Sequence, residues 1–131
     1  MKIGILQTGE APRELIDEHG DYNDMFVRLL GGPDISFATY RVLDGQLPQR
    51  TDVADAYVIT GSRCGVYDGF GWIADLEDYL RALNAEKRAM AGICFGHQVM
   101  AQAFGGRVEK FEGGWSAGLE TYRFKDHGDP A

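Results

Sequence analysis

The sequence has few cysteines, few basic residues and no long apolar segment. Its two cysteines, Cys64 and Cys94, are too few for a disulfide framework, so both thiols are expected to stay reduced. Thirteen basic residues against 20 acidic ones give a net charge of −7, which disfavours nucleic acid as the main partner. Residues 1–6 lack the features of a signal peptide, and no segment approaches membrane-spanning length. These absences predict a cytoplasmic protein with no membrane partner.

The remaining composition is typical of one globular domain. The chain has 131 residues, of which 44% are hydrophobic and 25% charged, enough to form a sizeable core. We therefore expect residues 1–131 to belong to a single domain. The 18 glycines are about twice the usual share of roughly 7%, which indicates many tight turns.

Short apolar runs alternate with segments of helical period along the whole chain. Strands are predicted at residues 3–6, 35–43, 56–59, 88–93, 107–110 and 119–124. Helices are predicted after Asp21, along the apolar stripe from Trp72 to Leu83, and at residues 95–104. This alternation favours an α/β fold with three layers, in which helices cover both faces of a doubly wound, mostly parallel sheet.

The sequence Gly92-Ile93-Cys94-Phe95-Gly96 lies at the junction of a predicted strand and a predicted helix. Glycines two residues before and after a nucleophile relieve crowding in the strained turn known as a nucleophile elbow. The start of the next helix favours a thiolate at Cys94, and the Phe95 N–H is expected to form half of an oxyanion hole. The alternative is a small buried cysteine, which the two flanking glycines disfavour.

The heptad from Gly92 to Gln98 closely resembles the signature of class I (triad) glutamine amidotransferases. Residues 91–108 are also similar to the amidotransferase domains of GMP synthase and its stand-alone relatives. The resemblance implies a flavodoxin-like fold in which Cys94 attacks the side-chain amide of glutamine. A γ-glutamyl thioester would form, and ammonia would be released. It also implies that Gln98, one helical turn after Cys94, helps to hold the substrate.

A second loop is needed to complete the oxyanion hole. Thr60-Gly61-Ser62 follows a predicted strand and resembles the glycine loop of the family, so we assign the second N–H to Gly61. Ser62 is expected to contact the substrate, and Arg63 to line the pocket. An ordinary turn explains Gly61 equally well. Asp68 and Trp72 resemble stand-alone amidotransferases, although a helix cap and a core aromatic also account for them.

No residue matches the catalytic base of the family, which is a histidine in a downstream His-x-Glu pattern. The three histidines are His19, His97 and His127, and none of them fits. The chain is therefore predicted to be an incomplete domain that contains only the N-terminal part and is inactive alone. We expect an exposed sheet edge, which a second chain or a homo-oligomer could cover.

Three functions agree with these observations. The first is a glutamine amidotransferase that passes ammonia to a synthase domain or subunit. The second is a catalytically silent module that binds a ligand, and the third is a cysteine hydrolase of γ-glutamyl compounds. Gln98 and the glycine-rich residues 113–118 favour glutamine as the substrate. The pair Cys64 and Cys94 lacks further ligands at metal-site spacing, so we predict no metal, and no cofactor is implied.

Overall fold

A computed structural model describes residues 1–114, 118, 119 and 121 of the chain. The strands and helices, in chain order, are β1 (Lys2–Gln7), α1 (Arg13–His19), α2 (Tyr22–Leu30), β2 (Ser36–Arg41), β3 (Ala56–Ile59), α3 (Gly71–Ala85), β4 (Ala89–Gly92) and α4 (Phe95–Ala103). Strands and helices thus alternate as expected for an α/β fold, and the predicted fold class is confirmed.

The four strands form one parallel sheet in the order β2-β1-β3-β4. In its register, Ile3 of β1 lies opposite Phe37 of β2 and Ala56 of β3, and Val58 of β3 lies opposite Ala91 of β4. Because all four strands run the same way, the loops that follow them meet at one edge of the sheet. This edge is where ligands bind in open α/β sheets.

Helices cover both faces of the sheet. The larger core lies between one face and the helices α3 and α4. Its buried side chains include Leu6, Tyr57, Ile59, Ile73, Leu76, Leu80, Leu83, Phe95 and Val99. On the opposite face, Ile3, Ile5 and Val58 pack against Phe26 and Leu30 of α2. The apolar stripe of α3 is thus core, as its spacing predicts.

Asp21 joins α2 to the loop after β1. Its carboxylate accepts hydrogen bonds from the backbone N–H groups of Tyr22 and Ala11, both at 2.8 Å, and from Nε2 of Gln7 at 2.6 Å. The side chain of Asp24 in turn accepts from the Asp21 N–H at 2.9 Å, which completes a capping box. The helix predicted after Asp21 is confirmed, and this cap fixes its start near the ends of the strands where the loops meet.

The structure differs from two local predictions. It also contains a helix, α1, that was not predicted from the sequence. The second strand ends at Arg41 instead of residue 43, because a 3-10 turn at Val42–Asp44 follows it and buries Val42. Residues 107–110 form no strand; only Val108 packs against the core, and Arg107, Glu109 and Lys110 are exposed. Among the described residues no strand lies beside them, so their backbone has no ladder to join there. The strand predicted at residues 119–124 lies largely outside the described residues.

In the part of the chain that the structure describes, β4 is an edge strand, with a neighbouring strand on only one side. Ala89 and Ala91 of this strand are exposed on the face that α2 covers elsewhere. No helix among the described residues has the length and apolar character needed to cross a bilayer.

Candidate active site

Cys94 lies in a strained turn between β4 and α4. Its φ of 53° and ψ of −109° lie outside the regions that L-residues normally adopt. A backbone of this kind persists only where its surroundings impose it, and it is typical of a nucleophile elbow. The residue is exposed, so the structure does not support the alternative of a small buried cysteine.

The flanking glycines are required by close backbone contacts. A Cβ added at Gly92 would lie 2.6 Å from the His97 nitrogen, and one at Gly96 would lie 2.9 Å from the Ile59 carbonyl carbon. Both separations are shorter than non-bonded atoms allow. The start of α4 therefore packs directly on β3 and on the end of β4, and this is the kind of crowding that the two glycines were predicted to relieve.

We expect Cys94→Gly to be more stable than Cys94→Ala by about 1 kcal/mol. Both variants lack the sulfur, so their difference reports the backbone strain at this position. Glycine tolerates the positive φ, and this gain exceeds the extra conformational entropy that glycine loses on folding. Urea unfolding followed by circular dichroism measures the difference. A Cys94→Ala variant that is equally stable would show that the turn is unstrained.

The loop after β3 lies beside the elbow and is fixed by two buried threonines. The Thr8 hydroxyl donates a hydrogen bond to the Thr60 carbonyl at 2.9 Å, and the Thr60 hydroxyl donates to the Gly61 carbonyl at 3.1 Å. The Thr8 N–H donates to Thr60 Oγ1 at 3.0 Å. The first bond orients the peptide that contains the Gly61 N–H, because a trans peptide directs its N–H away from its carbonyl.

Gly61 is close to the nucleophile. A Cβ built on Gly61 would be 3.8 Å from the Cβ of Cys94. The structure thus brings the two loops together, as the assignment of the Gly61 N–H to an oxyanion hole requires. The other proposed donor, the N–H of Phe95, belongs to the first residue of α4 and has no acceptor within that helix. Both roles stay predictions.

The elbow rests on an aromatic cluster. The Phe95 ring is buried and packs against Trp72 with ring centroids 5.6 Å apart, and Trp72 stacks on Phe70 at 6.4 Å. Trp72 therefore packs against the core as an aromatic side chain, which was one of the two interpretations of this residue. Asp68 accepts a hydrogen bond from the Gly65 N–H at 2.8 Å and so closes a loop; the residue before α3 is Phe70, and Asp68 does not cap that helix.

A cavity of about 330 Å³ opens beside Cys94. It lies between α2 and the loops after β3 and β4. Its lining residues are Tyr22, Met25, Phe26, Leu29, Gly61, Ser62, Ile93 and Cys94. Ser62, predicted to contact substrate, thus shares a cavity with the nucleophile, and its Oγ also accepts from the Cys64 N–H at 3.2 Å. Arg63 does not line this cavity but a separate cleft next to Thr8 and Arg13.

Gln98 does not line the cavity beside Cys94. It is exposed on α4 and lines a second cavity of about 240 Å³ with Tyr67, Glu109, Lys110 and Gly114. The structure therefore places the two substrate-binding predictions, Gln98 and Ser62, in separate cavities, and Cys94 lines only the cavity that contains Ser62. Trp115, in the glycine-rich stretch, lies outside the described residues.

The histidines do not complete a catalytic pair in the described part of the chain. His97 is exposed on α4, His19 ends α1, and neither lines the cavity beside Cys94. His127 lies outside the described residues. The two thiols of the chain, Cys64 and Cys94, are both free.

Sequence reasoning missed Thr8 and Thr60. Neither belongs to the elbow pattern, and the two residues are 52 positions apart. The available signal was a threonine directly after each of two adjacent buried strands. In a parallel sheet, such residues meet at the edge where ligands bind.

A cysteine on a strand-to-helix elbow, close to a glycine loop, is an arrangement typical of thiol-dependent acyl-transfer enzymes. Residues 15–129 match the family described as glutamine amidotransferase class-I. The chain belongs to this family, as the resemblance of the heptad predicted.

Relatives of this chain are found among plant proteins. It is 36% identical over 94 residues to γ-glutamyl peptidase 4 of Arabidopsis thaliana, covering 70% of this chain and 38% of that protein. It is 32% identical over 120 residues to γ-glutamyl peptidase 2 of the same plant, covering 90% of this chain and 48% of that protein. The chain thus spans less than half the length of these curated relatives.

The fold also has a counterpart among solved structures. A glutamine amidotransferase from Methylobacillus flagellatus aligns with a TM-score of 0.60 at 22% identity, covering 79% of this chain and 39% of that one. At this identity the likeness establishes the fold alone. It agrees with the flavodoxin-like, parallel α/β architecture expected for the family.

Proposed function

We propose that the natural protein containing this chain hydrolyses the side-chain amide of glutamine through a thioester at Cys94. The observation that supports this most directly is the strained, exposed Cys94 at φ 53° on the elbow of an amidotransferase fold. Because Cys94 is exposed, its strained backbone does not improve the packing of the core. The strain therefore indicates a role in chemistry.

The reaction follows from the positions of the groups around the elbow. The Cys94 sulfur attacks the γ-carbonyl carbon, and the oxyanion that forms accepts hydrogen bonds from the N–H groups of Phe95 and Gly61. A general base removes the thiol proton and returns it to the leaving nitrogen, which departs as ammonia. Water then attacks the thioester and releases glutamate. Thr8 has a positioning role, because it orients the Gly61 peptide.

The fate of the ammonia is the second part of the proposal. Ammonia would be passed to an acceptor in a synthase domain or subunit, as in GMP synthase-like enzymes, and the protein would be cytoplasmic. The two free thiols are consistent with a reducing compartment. The edge strand β4, with Ala89 and Ala91 exposed, offers a surface for a partner or for a second copy of the chain.

A second candidate is hydrolysis of substituted γ-glutamyl amides. Two Arabidopsis relatives with identities of 36% and 32% are named γ-glutamyl peptidases. The same elbow serves this reaction, and only the leaving group differs: an amine or a peptide departs instead of ammonia. The steps at Cys94, Phe95 and Gly61 are unchanged.

A diazo-ketone analogue of glutamine tests the proposed nucleophile. We expect the natural protein to take up one equivalent of the reagent, with the label on Cys94 and none on Cys64. The ketone occupies the carbonyl position, the thiol proton is transferred to the diazo carbon, and this carbon then bonds to the sulfur as dinitrogen leaves. Peptide mass spectrometry locates the label, and an excess of glutamine should slow the labelling. A label on Cys64 instead would overturn the assignment.

A further inference from the structure

The cavity beside Cys94, here termed the α2 pocket, is apolar and uncharged. None of its lining residues has an ionisable carboxylate, amine or guanidinium, and Met25, Phe26, Leu29 and Ile93 form most of its walls. Ser62 adds one hydroxyl near the thiol. Apolar cavities with a few convergent polar groups are typical of small-molecule sites.

The α2 pocket is much larger than ammonia requires. A water-sized molecule needs roughly 10–15 Å³ of such space, and a cavity of about 150 Å³ suffices for benzene. The α2 pocket measures about 330 Å³. A ring or branched aliphatic group therefore fits within it, whereas ammonia would leave it almost entirely unfilled.

The α2 pocket and the cavity that contains Gln98 differ in charge. The cavity that contains Gln98 also contains Glu109 and Lys110, one side chain of each sign. This arrangement suits the α-ammonium and α-carboxylate groups of a glutamyl moiety. Since Cys94 itself lines the α2 pocket, a γ-carbonyl at the sulfur lies next to this uncharged pocket. The charged α-groups of the glutamyl moiety do not suit such a pocket, so the group that enters it is the substituent on the amide nitrogen.

We propose that the α2 pocket binds an apolar group on the γ-amide nitrogen, so that γ-glutamyl amides of apolar or aromatic amines are better ligands than glutamine. This inference rests on the proposed nucleophilic role of Cys94. Tyr22, Met25 and Leu29 of α2 are then the residues that determine specificity for the leaving group. Phe26 also packs into the core, so its effect on binding cannot be separated from its effect on folding.

Alkylation of the two thiols tests the pocket without requiring turnover. The 131-residue chain is treated with 2-chloroacetamide or with N-benzyl-2-chloroacetamide, and peptide mass spectrometry follows each cysteine. In both reactions the sulfur bonds to the methylene carbon, chloride leaves, and the thiol proton goes to the buffer. Cys64 provides an internal reference, because it lies outside the α2 pocket.

We expect the benzyl group to accelerate alkylation of Cys94, relative to Cys64, by about tenfold or more, since the ring leaves water when it enters the pocket. In Met25→Gln the benzyl group should accelerate alkylation of Cys94 no more than alkylation of Cys64, because a polar amide replaces an apolar wall. The matched control is Val27→Gln on the same helix, where the side chain is exposed and lies outside the pocket. This control should keep the preference.

The outcomes separate the pocket from the nucleophile. If Cys94 reacts readily with 2-chloroacetamide but gains no more than Cys64 from the benzyl group, the pocket proposal is wrong and the nucleophile stands. If Cys94 reacts more slowly than half-buried Cys64 with both reagents, the proposed function fails, and this inference fails with it. Equal loss of preference in Met25→Gln and Val27→Gln would also overturn the assignment to the pocket.

Discussion

Gly96→Ala should lower the free energy of unfolding by about 3 kcal/mol or more. The new methyl group would overlap the carbonyl oxygen of Ile59 and lie 3.0 Å from the Ile59 Cβ. These atoms belong to a buried central strand and cannot move aside independently. The Ile59 carbonyl also accepts a hydrogen bond from the Ile93 N–H at 3.0 Å, so displacing it would detach the elbow from β3. Urea unfolding followed by circular dichroism measures the loss.

Gly71→Ala is the matched control for this variant. Gly71 is the first residue of α3, and a Cβ added there meets no atom within 4 Å. The same change should therefore stabilise the protein by about 0.5 kcal/mol, since alanine restricts the unfolded chain. Opposite signs for the two substitutions would assign the loss at Gly96 to the contact with Ile59. A cost below about 1 kcal/mol at Gly96 would contradict the close packing of α4 on β3.

The buried elements could be predicted because burial leaves a pattern in the sequence. The apolar run that includes Ile59 and the stripe from Trp72 to Leu83 each mark a surface that leaves water on folding. α1 leaves no such mark, since its only apolar residues are the adjacent Leu15 and Ile16, and neither is buried. Its sequence therefore has no apolar stripe for the periodicity to reveal. A helix that lacks an apolar stripe cannot be predicted from hydrophobic periodicity.

The elbow was predictable for a different reason. Its requirements are local: two glycines and a nucleophile within five residues, between a strand and a helix. The relation between Cys94 and Gly61 depended instead on strand order, which places β3 beside β4. The bond from Thr8 to Thr60 depended on the pairing of β1 with β3. Such long-range contacts follow from topology and not from spacing along the chain.

The α2 pocket shows the same limit. The helix containing Met25 and Leu29 was correctly predicted, and both residues belonged to its apolar face. Periodicity assigns such a face to the core, and Phe26 and Leu30 do pack there. Met25 and Leu29 instead line the cavity that contains Cys94. Their placement there depends on the position of α2 relative to the loop that contains Ile93. The apolar pattern alone does not distinguish a core wall from the wall of a binding site.

Replacing Cys94 by alanine should lower amide hydrolysis by the natural protein by at least about 1000-fold. Without the sulfur no thioester can form, and the proposed hydrogen-bond donors at Phe95 and Gly61 alone should supply only a small part of the acceleration. The assay is the release of glutamate from glutamine and from a γ-glutamyl anilide, measured on the same preparations. Both substrates should lose activity together, because the same sulfur attacks both carbonyls.

Cys64→Ala is the control for loss of a thiol. Cys64 is half-buried, and the bond it makes to Ser62 uses its backbone N–H, which alanine retains. Its activity should stay within about twofold of the parent, as for substitutions away from catalytic groups. Hydrolysis that survives in Cys94→Ala but disappears in Cys64→Ala would move the nucleophile to the loop after β3. Hydrolysis that survives both changes would exclude a thioester at either cysteine of residues 1–131.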